Sequence, residues 1–335
     1  MERGDVTGRR QQEREERLSP AKRALLARLR AGRSLPAEAA GAGPGASGSG
    51  DEDSNAALPV PLRSVTQPGA TQPGATGRRP PLVLVHPVGG ALFCYARLVA
   101  GLTPGVPVLG FAADGVDPGV PDRQLLPALA ARYLRGLSAA GFEPACVLAG
   151  WSMGGLVAYE MARQTAAATG RYNPVVLIDA AIIQAGVTWD EPKVCAVFVR
   201  DLGRLAGADP ARLPDPDRPP SDPQVDPGDL LAATGIDLGL SQAELDRRFR
   251  VFRLNLRAMF GYRPGSYPGP VVLLNATGSP DLEPDWRPLV GTPIRRHAVP
   301  GDHYQLFDPG SVELVARVLD QVVQAAAHPP RPRTG

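Results

Sequence analysis

The sequence predicts an α/β fold: a mostly parallel sheet with helices on both faces and a helical insertion late in the chain. Three observations predict it. Short continuous apolar runs of strand length recur between residues 79 and 327, and Pro174-Val175-Val176-Leu177-Ile178-Asp179 is rich in β-branched residues. Segments of helical periodicity stand between those runs, and strands apolar on both faces belong to a parallel sheet covered on both sides. One strand also leads through a Gly-x-Ser-x-Gly pentapeptide directly into a helix pattern, in Ala145–Glu160.

Taken in order, Leu82–Val85 is a strand and 91–102 a helix; 106–111 is a strand and 123–139 a helix. The strand before Ser152 and the helix after it, ending near Ala168, come next. The strand at 174–179 follows, with Asp179 at its C-terminal end. Later strands are expected at 271–275 and 293–299, and a last helix over 310–325. Between 183 and 268 the alternation breaks. Two helix patterns, 189–205 and 241–260, flank Pro- and Asp-rich sequence from Asp209 to Asp229. Because the insertion leaves the chain after the Asp179 strand, where ligands sit in such sheets, it is expected to act as a lid.

Outside the folded domain, expected over residues 79–327, the pattern changes. Residues 1–33 hold one short basic amphipathic helix, with Leu25, Leu26 and Leu29 on one face after a Ser19-Pro20 start signal. So narrow a stripe cannot build a core alone. It is either a solvated helix or a docking element for another polypeptide, through residues 19–31. Residues 34–78 are rich in Ala, Gly, Pro and Ser and contain the tandem repeat Thr66–Ala70 and Thr71–Ala75. Such sequence buries too little apolar surface to offset its ordering entropy, so a disordered tether is expected there. The Pro-rich tail at 328–335 is expected to be loose.

Bulk properties narrow the function. With 36 Lys and Arg against 34 Asp and Glu, the net charge of +2 gives no reason to expect nucleic acid or an anionic membrane as partner. The N-terminus has no apolar signal region, and no apolar run approaches a membrane span, so a soluble cytoplasmic protein is expected. The three cysteines, Cys94, Cys146 and Cys195, are scattered and read as core residues. No cluster has metal-ligand spacing and no phosphate-binding glycine motif is present, so no cofactor or metal is expected.

The chemistry centres on Ser152. Gly150 and Gly154 permit a sharp strand-to-helix turn that lifts Oγ above the sheet at a helix N-terminus. A serine hydroxyl needs a base. Four histidines are available. His328 is in the tail, His86 ends the first strand and reads as structural or near an oxyanion site, and His297 lies inside a strand pattern. His303 follows a strand in Pro300-Gly301-Asp302-His303-Tyr304, where a loop can carry its imidazole to Ser152. Asp179 is the first candidate for the acid that orients the imidazole, and Asp281 is the alternative. Asp302 reads as a loop-forming residue. Two N–H donors for an oxyanion are expected from Met153 and from Val88, with Gly89 as the alternative to Val88.

Val85-His86-Pro87-Val88-Gly89-Gly90, Gly150-Trp151-Ser152-Met153-Gly154-Gly155, Val176–Asp179 and Pro300–Tyr304 together resemble the thioesterase domains of nonribosomal peptide and polyketide synthases. The similarity runs from about Pro81 to Leu319 and covers motif order, spacing and the helical insertion. It implies an α/β-hydrolase fold and an acyl or peptidyl thioester substrate on the phosphopantetheine arm of a carrier protein. It further implies a Ser152 ester intermediate released by water or an internal nucleophile. An acid on the strand after the elbow matches the chain-terminating type, whereas editing thioesterases place it nearer Asp281. Leu18–Leu26 is similar to segments at module starts, so a discrete enzyme docking in trans on a synthase module is expected. Transfer between carrier proteins and an inactive binding module are the other readings.

Overall fold

A twisted sheet organises the chain, and the computed structural model describes residues 56–63, 79–113, 119–142, 145–184 and 189–328. Among these, seven strands lie in the order β1-β3-β2-β4-β5-β6-β7. They are β1 (Val60–Arg63), β2 (Leu82–Val85), β3 (Val108–Phe111), β4 (Val147–Trp151), β5 (Val175–Ile178), β6 (Val271–Ala276) and β7 (Arg295–Val299). Only β1 runs antiparallel, on the outer side of β3. The parallel pairs β2–β3, β2–β4, β4–β5, β5–β6 and β6–β7 make up the rest. Strands β2 to β6 are buried at every position, the pattern that both-face coverage requires. At the edge, β7 buries only Val299 and turns Arg295 and Arg296 to solvent, which discourages pairing with another chain.

The covering helices are α1 (Ala96–Gly101), α2 (Asp122–Ala139), α3 (Met153–Thr169) and α8 (Ser311–Ala327), with α7 (Glu283–Trp286) a single turn after β6. Helix α3 buries nearly all of its first three turns, from Met153 to Ala162, so it is the central helix. It ends at Gly170 in the left-handed conformation (φ 69°), whose N–H caps Ala166.

The chain divides into two compact units. Described residues 190–247 form the smaller one, with α4 (Glu191–Leu205), α5 (Pro227–Ala233) and the first turns of α6 (Gln242–Gly261). Its Pro- and Asp-rich sequence is a series of helix starts. Asp190 accepts the Lys193 N–H, Asp209 that of Ala211, and Asp226 that of Gly228, each with proline in the first turn that follows.

Two expectations need correction. The tether expected over 34–78 is interrupted: residues 60–63 form β1, and Ala57 is buried in the sheet unit. Arg63 explains the order, its guanidinium donating to the carbonyls of Val99, Leu102 and Thr103 at the end of α1. The four-residue strand and its bulge carry too little periodicity to stand out among Pro and Ser. The insertion expected at 183–268 is also shorter as a unit, because residues 248–268 group with the sheet. Ala258, Tyr262 and Tyr267 lie in that core, and Tyr267 donates to the Asn173 carbonyl just before β5. The helix expected within 1–33, the stretches 34–55 and 64–78, and residues 329–335 lie outside the described residues.

Candidate active site

The elbow is built by backbone contact. A Cβ on Gly150 would lie 2.1 Å from the Gly154 carbonyl carbon, and one on Gly154 would lie 2.3 Å from the Val85 oxygen. No side chain fits at either place. Ser152 therefore sits between β4 and α3 at φ 57°, ψ −127°, a conformation that L residues rarely adopt and that costs of order 1–3 kcal/mol. The sheet holds it there through the Ser152 N–H bond to the Ile178 carbonyl, 2.9 Å. One residue earlier, the Tyr95 hydroxyl accepts the Trp151 N–H (2.8 Å) and donates to the Val85 carbonyl (2.7 Å). Tyr95 thus fastens β2 to β4 where the two strands end.

Asp179 ends β5 with its own left-handed backbone, φ 47°, and its side chain is 2% exposed. Its Oδ2 receives the His303 Nδ1–H at 2.7 Å and the Ser279 hydroxyl at 2.6 Å. Its Oδ1 receives the Ala276 N–H at 2.9 Å and the Asn275 Nδ2 at 3.2 Å. Burial alone would raise the Asp179 pKa; the His303 and Ser279 hydrogen bonds and the Ala276 N–H outweigh it and hold the carboxyl below its usual value. An ionised carboxylate at Nδ1 fixes the neutral imidazole as the Nδ1–H tautomer and leaves Nε2 with a lone pair.

His303 comes from the loop after β7. Tyr304 N–H to Asp302 Oδ1 and Asp302 N–H to Gln305 Oε1, both 2.9 Å, shape that loop. Its ring packs on Trp151, the residue before Ser152, with centroids 4.9 Å apart and planes tilted 35°. That contact brings the imidazole beside the elbow.

The loop after β2 is fixed at two carbonyls. Pro87 O accepts from Gly90 N–H and from His86 Nδ1, both at 2.8 Å, and Val88 O accepts from Asn255 Nδ2 at 2.8 Å. Because Nδ1 donates to a carbonyl, His86 Nε2 is the acceptor for the Tyr133 hydroxyl, 2.7 Å away. Full burial lowers the His86 pKa to about 4, so this ring stays neutral near pH 7. Since a Cβ on Gly154 would also lie 2.9 Å from His86 O, this loop abuts the elbow. Met153 opens α3, where N–H groups have no intrahelical acceptor.

The remaining candidates fall elsewhere. Asp281 is solvent-exposed, paired with Arg296 at 3.2 Å, and accepts the Glu283 N–H at 3.1 Å in a local turn. His297 is in edge strand β7, its pKa lowered by burial and then by Arg295. His328 closes α8, its Nδ1 3.2 Å from Gln324 O. Sequence reasoning missed Ser279, Asn275, Asn255 and Tyr95, since no motif marks a lone Ser or Asn brought in from a distant segment.

The fold and this geometry define an α/β hydrolase with its serine on a strand-to-helix elbow. A family model described as Thioesterase domain matches residues 80–219. The dimodular nonribosomal peptide synthase of Bacillus subtilis (strain 168) is 27% identical over 259 residues, covering 73% of this chain and 10% of that protein. Pyochelin synthetase PchF of Pseudomonas aeruginosa is 30% identical over 278 residues, covering 73% of this chain and 15% of that protein. The chain thus spans a small part of these relatives' length. Among solved structures, the four-domain nonribosomal peptide synthetase AB3403 aligns at TM-score 0.64 and 23% identity over 79% of this chain and 20% of its own. The NocB thioesterase domain, in covalent complex with a fluorophosphonate nocardicin G analogue, aligns at TM-score 0.50 and 24% identity over 74% of this chain and 96% of its own. The structural likenesses bear on the fold. Residues 80–219 thus match the thioesterase domain family, and most of the chain is similar to segments of nonribosomal peptide and polyketide synthases.

Proposed function

We propose that this protein releases an acyl or peptidyl chain from the phosphopantetheine thioester of a carrier protein, through a Ser152 acyl-enzyme, by hydrolysis or cyclisation. The observation that carries the reading is the 2.7 Å Asp179–His303 hydrogen bond, with the His303 ring packed on Trp151 beside Ser152. In this reading His303 Nε2 takes the Ser152 hydroxyl proton as Oγ attacks the thioester carbon. The carbonyl oxygen becomes an oxyanion held by the Val88 and Met153 N–H groups. Collapse breaks the C–S bond, and His303 returns the proton to the departing thiol. Asp179 holds Nδ1–H throughout and favours the transient imidazolium. Water, or a hydroxyl or amine of the chain itself, then attacks the ester by the same proton route.

The relatives are synthases in which the matching segment is one part of a much longer chain, which supports a synthase module as partner. The chain-terminating type is favoured over the editing type because Asp281 pairs with Arg296 in a surface turn while Asp179 meets His303. We assign acceptor choice to the helical segment 190–247 on its position in the chain, between β5 and β6. No cofactor beyond the substrate's own phosphopantetheine enters the scheme.

The test uses the full chain, a fluorophosphonate probe and the hexanoyl thioester of N-acetylcysteamine. The wild type is expected to label and to release thiol, and Ser152→Ala to lose both. A wild-type protein that neither labels nor turns over would instead favour a binding module.

A further inference from the structure

Asp179 and His303 belong to different strands' ends, and a third segment bonds to Asp179 and to the loop that carries His303. The turn after β6, residues 277–279, is tied on one side to the carboxylate through the Ser279 hydroxyl, 2.6 Å from Asp179 Oδ2. On the other side it is tied to the loop that carries His303. Gly278 N–H donates to Gly301 O at 2.8 Å, Thr277 N–H to Val299 O at 2.8 Å, and Gly301 N–H to the Thr277 hydroxyl at 3.2 Å. The fit is close: a Cβ on Gly278 would lie 3.2 Å from Gly301 O and 3.3 Å from Asp302 Cα.

The turn is itself pinned from below. Asn275 is 2% exposed. Its Nδ2 lies within hydrogen-bond distance of Asp179 Oδ1 (3.2 Å), Ala276 O (3.1 Å) and Pro280 O (3.1 Å), and its Oδ1 accepts the Leu282 N–H at 3.0 Å. One buried amide thus closes the turn and aims it at the carboxylate.

On the reading that Asp179 and His303 serve Ser152, we infer that Ser279 is a positioning residue: its hydroxyl fixes the Asp179 Oδ2 that orients His303. Oδ2 has two donors, and the Ser279 bond restricts the rotation that would carry this oxygen away from Nδ1. The Thr277–Gly278 bonds set the height of the His303 loop relative to the same carboxylate. Ser279 touches no reacting atom, so its effect belongs in kcat rather than in substrate binding.

The experiment compares Ser279→Ala, Ser279→Thr and Asp179→Ala in the full chain. It measures hexanoyl-N-acetylcysteamine hydrolysis, fluorophosphonate labelling rate and the unfolding temperature. Ser279→Ala is expected to lose roughly 10- to 100-fold in kcat, the scale of a misplaced catalytic group, with KM and unfolding temperature unchanged. Ser279→Thr keeps a hydroxyl and is expected to recover most of the loss. A wild-type kcat in Ser279→Ala, with Asp179→Ala inactive, overturns the inference and leaves the triad standing. Equal losses in the Ala and Thr variants also overturn it, because the hydroxyl is then not the agent. An active Asp179→Ala removes the triad reading, and the inference falls with it.

Discussion

Asp179 shows how a side chain's role is set by what surrounds it. Two carboxylates, Asp179 and Asp281, stand at or just past the ends of neighbouring strands. One is buried with four donors, and the other is exposed beside Arg296. The buried one has the depressed pKa, so it stays charged across the neutral range, and it alone meets an imidazole. Asp179→Ala is therefore expected to reduce kcat by about 10⁴-fold, the scale at which a triad acid acts, with Asp281→Ala near wild type in the same thioester assay. Loss in Asp281→Ala with Asp179→Ala active would reverse the assignment. His86 teaches the complementary lesson. It is fully buried with both ring nitrogens engaged and a pKa near 4, so it shapes the Pro87 carbonyl instead of moving protons.

Among the elements, the elbow depends on glycine at Gly150 and Gly154, and β1 depends on a cation. Arg63 reaches three carbonyls at the end of α1, where a cation is favoured at the helix C-terminus. Ala57 lies so close to α2 that a Cβ on Gly136 would come 1.7 Å from its carbonyl oxygen. Edge strand β1 should thus contribute to stability although its sequence reads as linker. A protein starting at residue 79 is expected to unfold at a lower temperature than one starting at residue 56. Each 1 kcal/mol lost corresponds to about 2–4 °C at this chain size. Equal unfolding temperatures in a calorimeter would mean that β1 adds nothing.

For the whole molecule, the sheet unit carries the entire candidate site: β4 and α3 bring Ser152, β5 brings Asp179, the β7 loop brings His303, and β6 with the turn after it bonds to Asp179 and to that loop. No helix among the described residues is long and apolar enough to cross a membrane. The proposed carrier-bound substrate gives the N-terminal segment a testable role. Deleting residues 1–33 is expected to raise the apparent KM for a carrier-bound acyl chain several-fold, while KM for the free N-acetylcysteamine thioester stays the same. An unchanged KM for both substrates would remove the docking role from residues 19–31.

The sequence by itself determined the parallel sheet, because apolar runs spaced by helical periods admit few other packings. It also determined the elbow, because a strand, Gly-x-Ser-x-Gly and a helix in succession are local features. His303 was legible for the same reason, as a histidine just past a strand end. Only the tertiary structure shows that Asp179, and not Asp281, meets His303, because both follow strands and the difference rests on which carboxylate the turn after β6 and the β7 loop enclose. It alone revealed β1 and Ser279. Their roles come from long-range hydrogen bonds, Arg63 to Thr103 and Ser279 to Asp179, which leave no periodic trace along the chain.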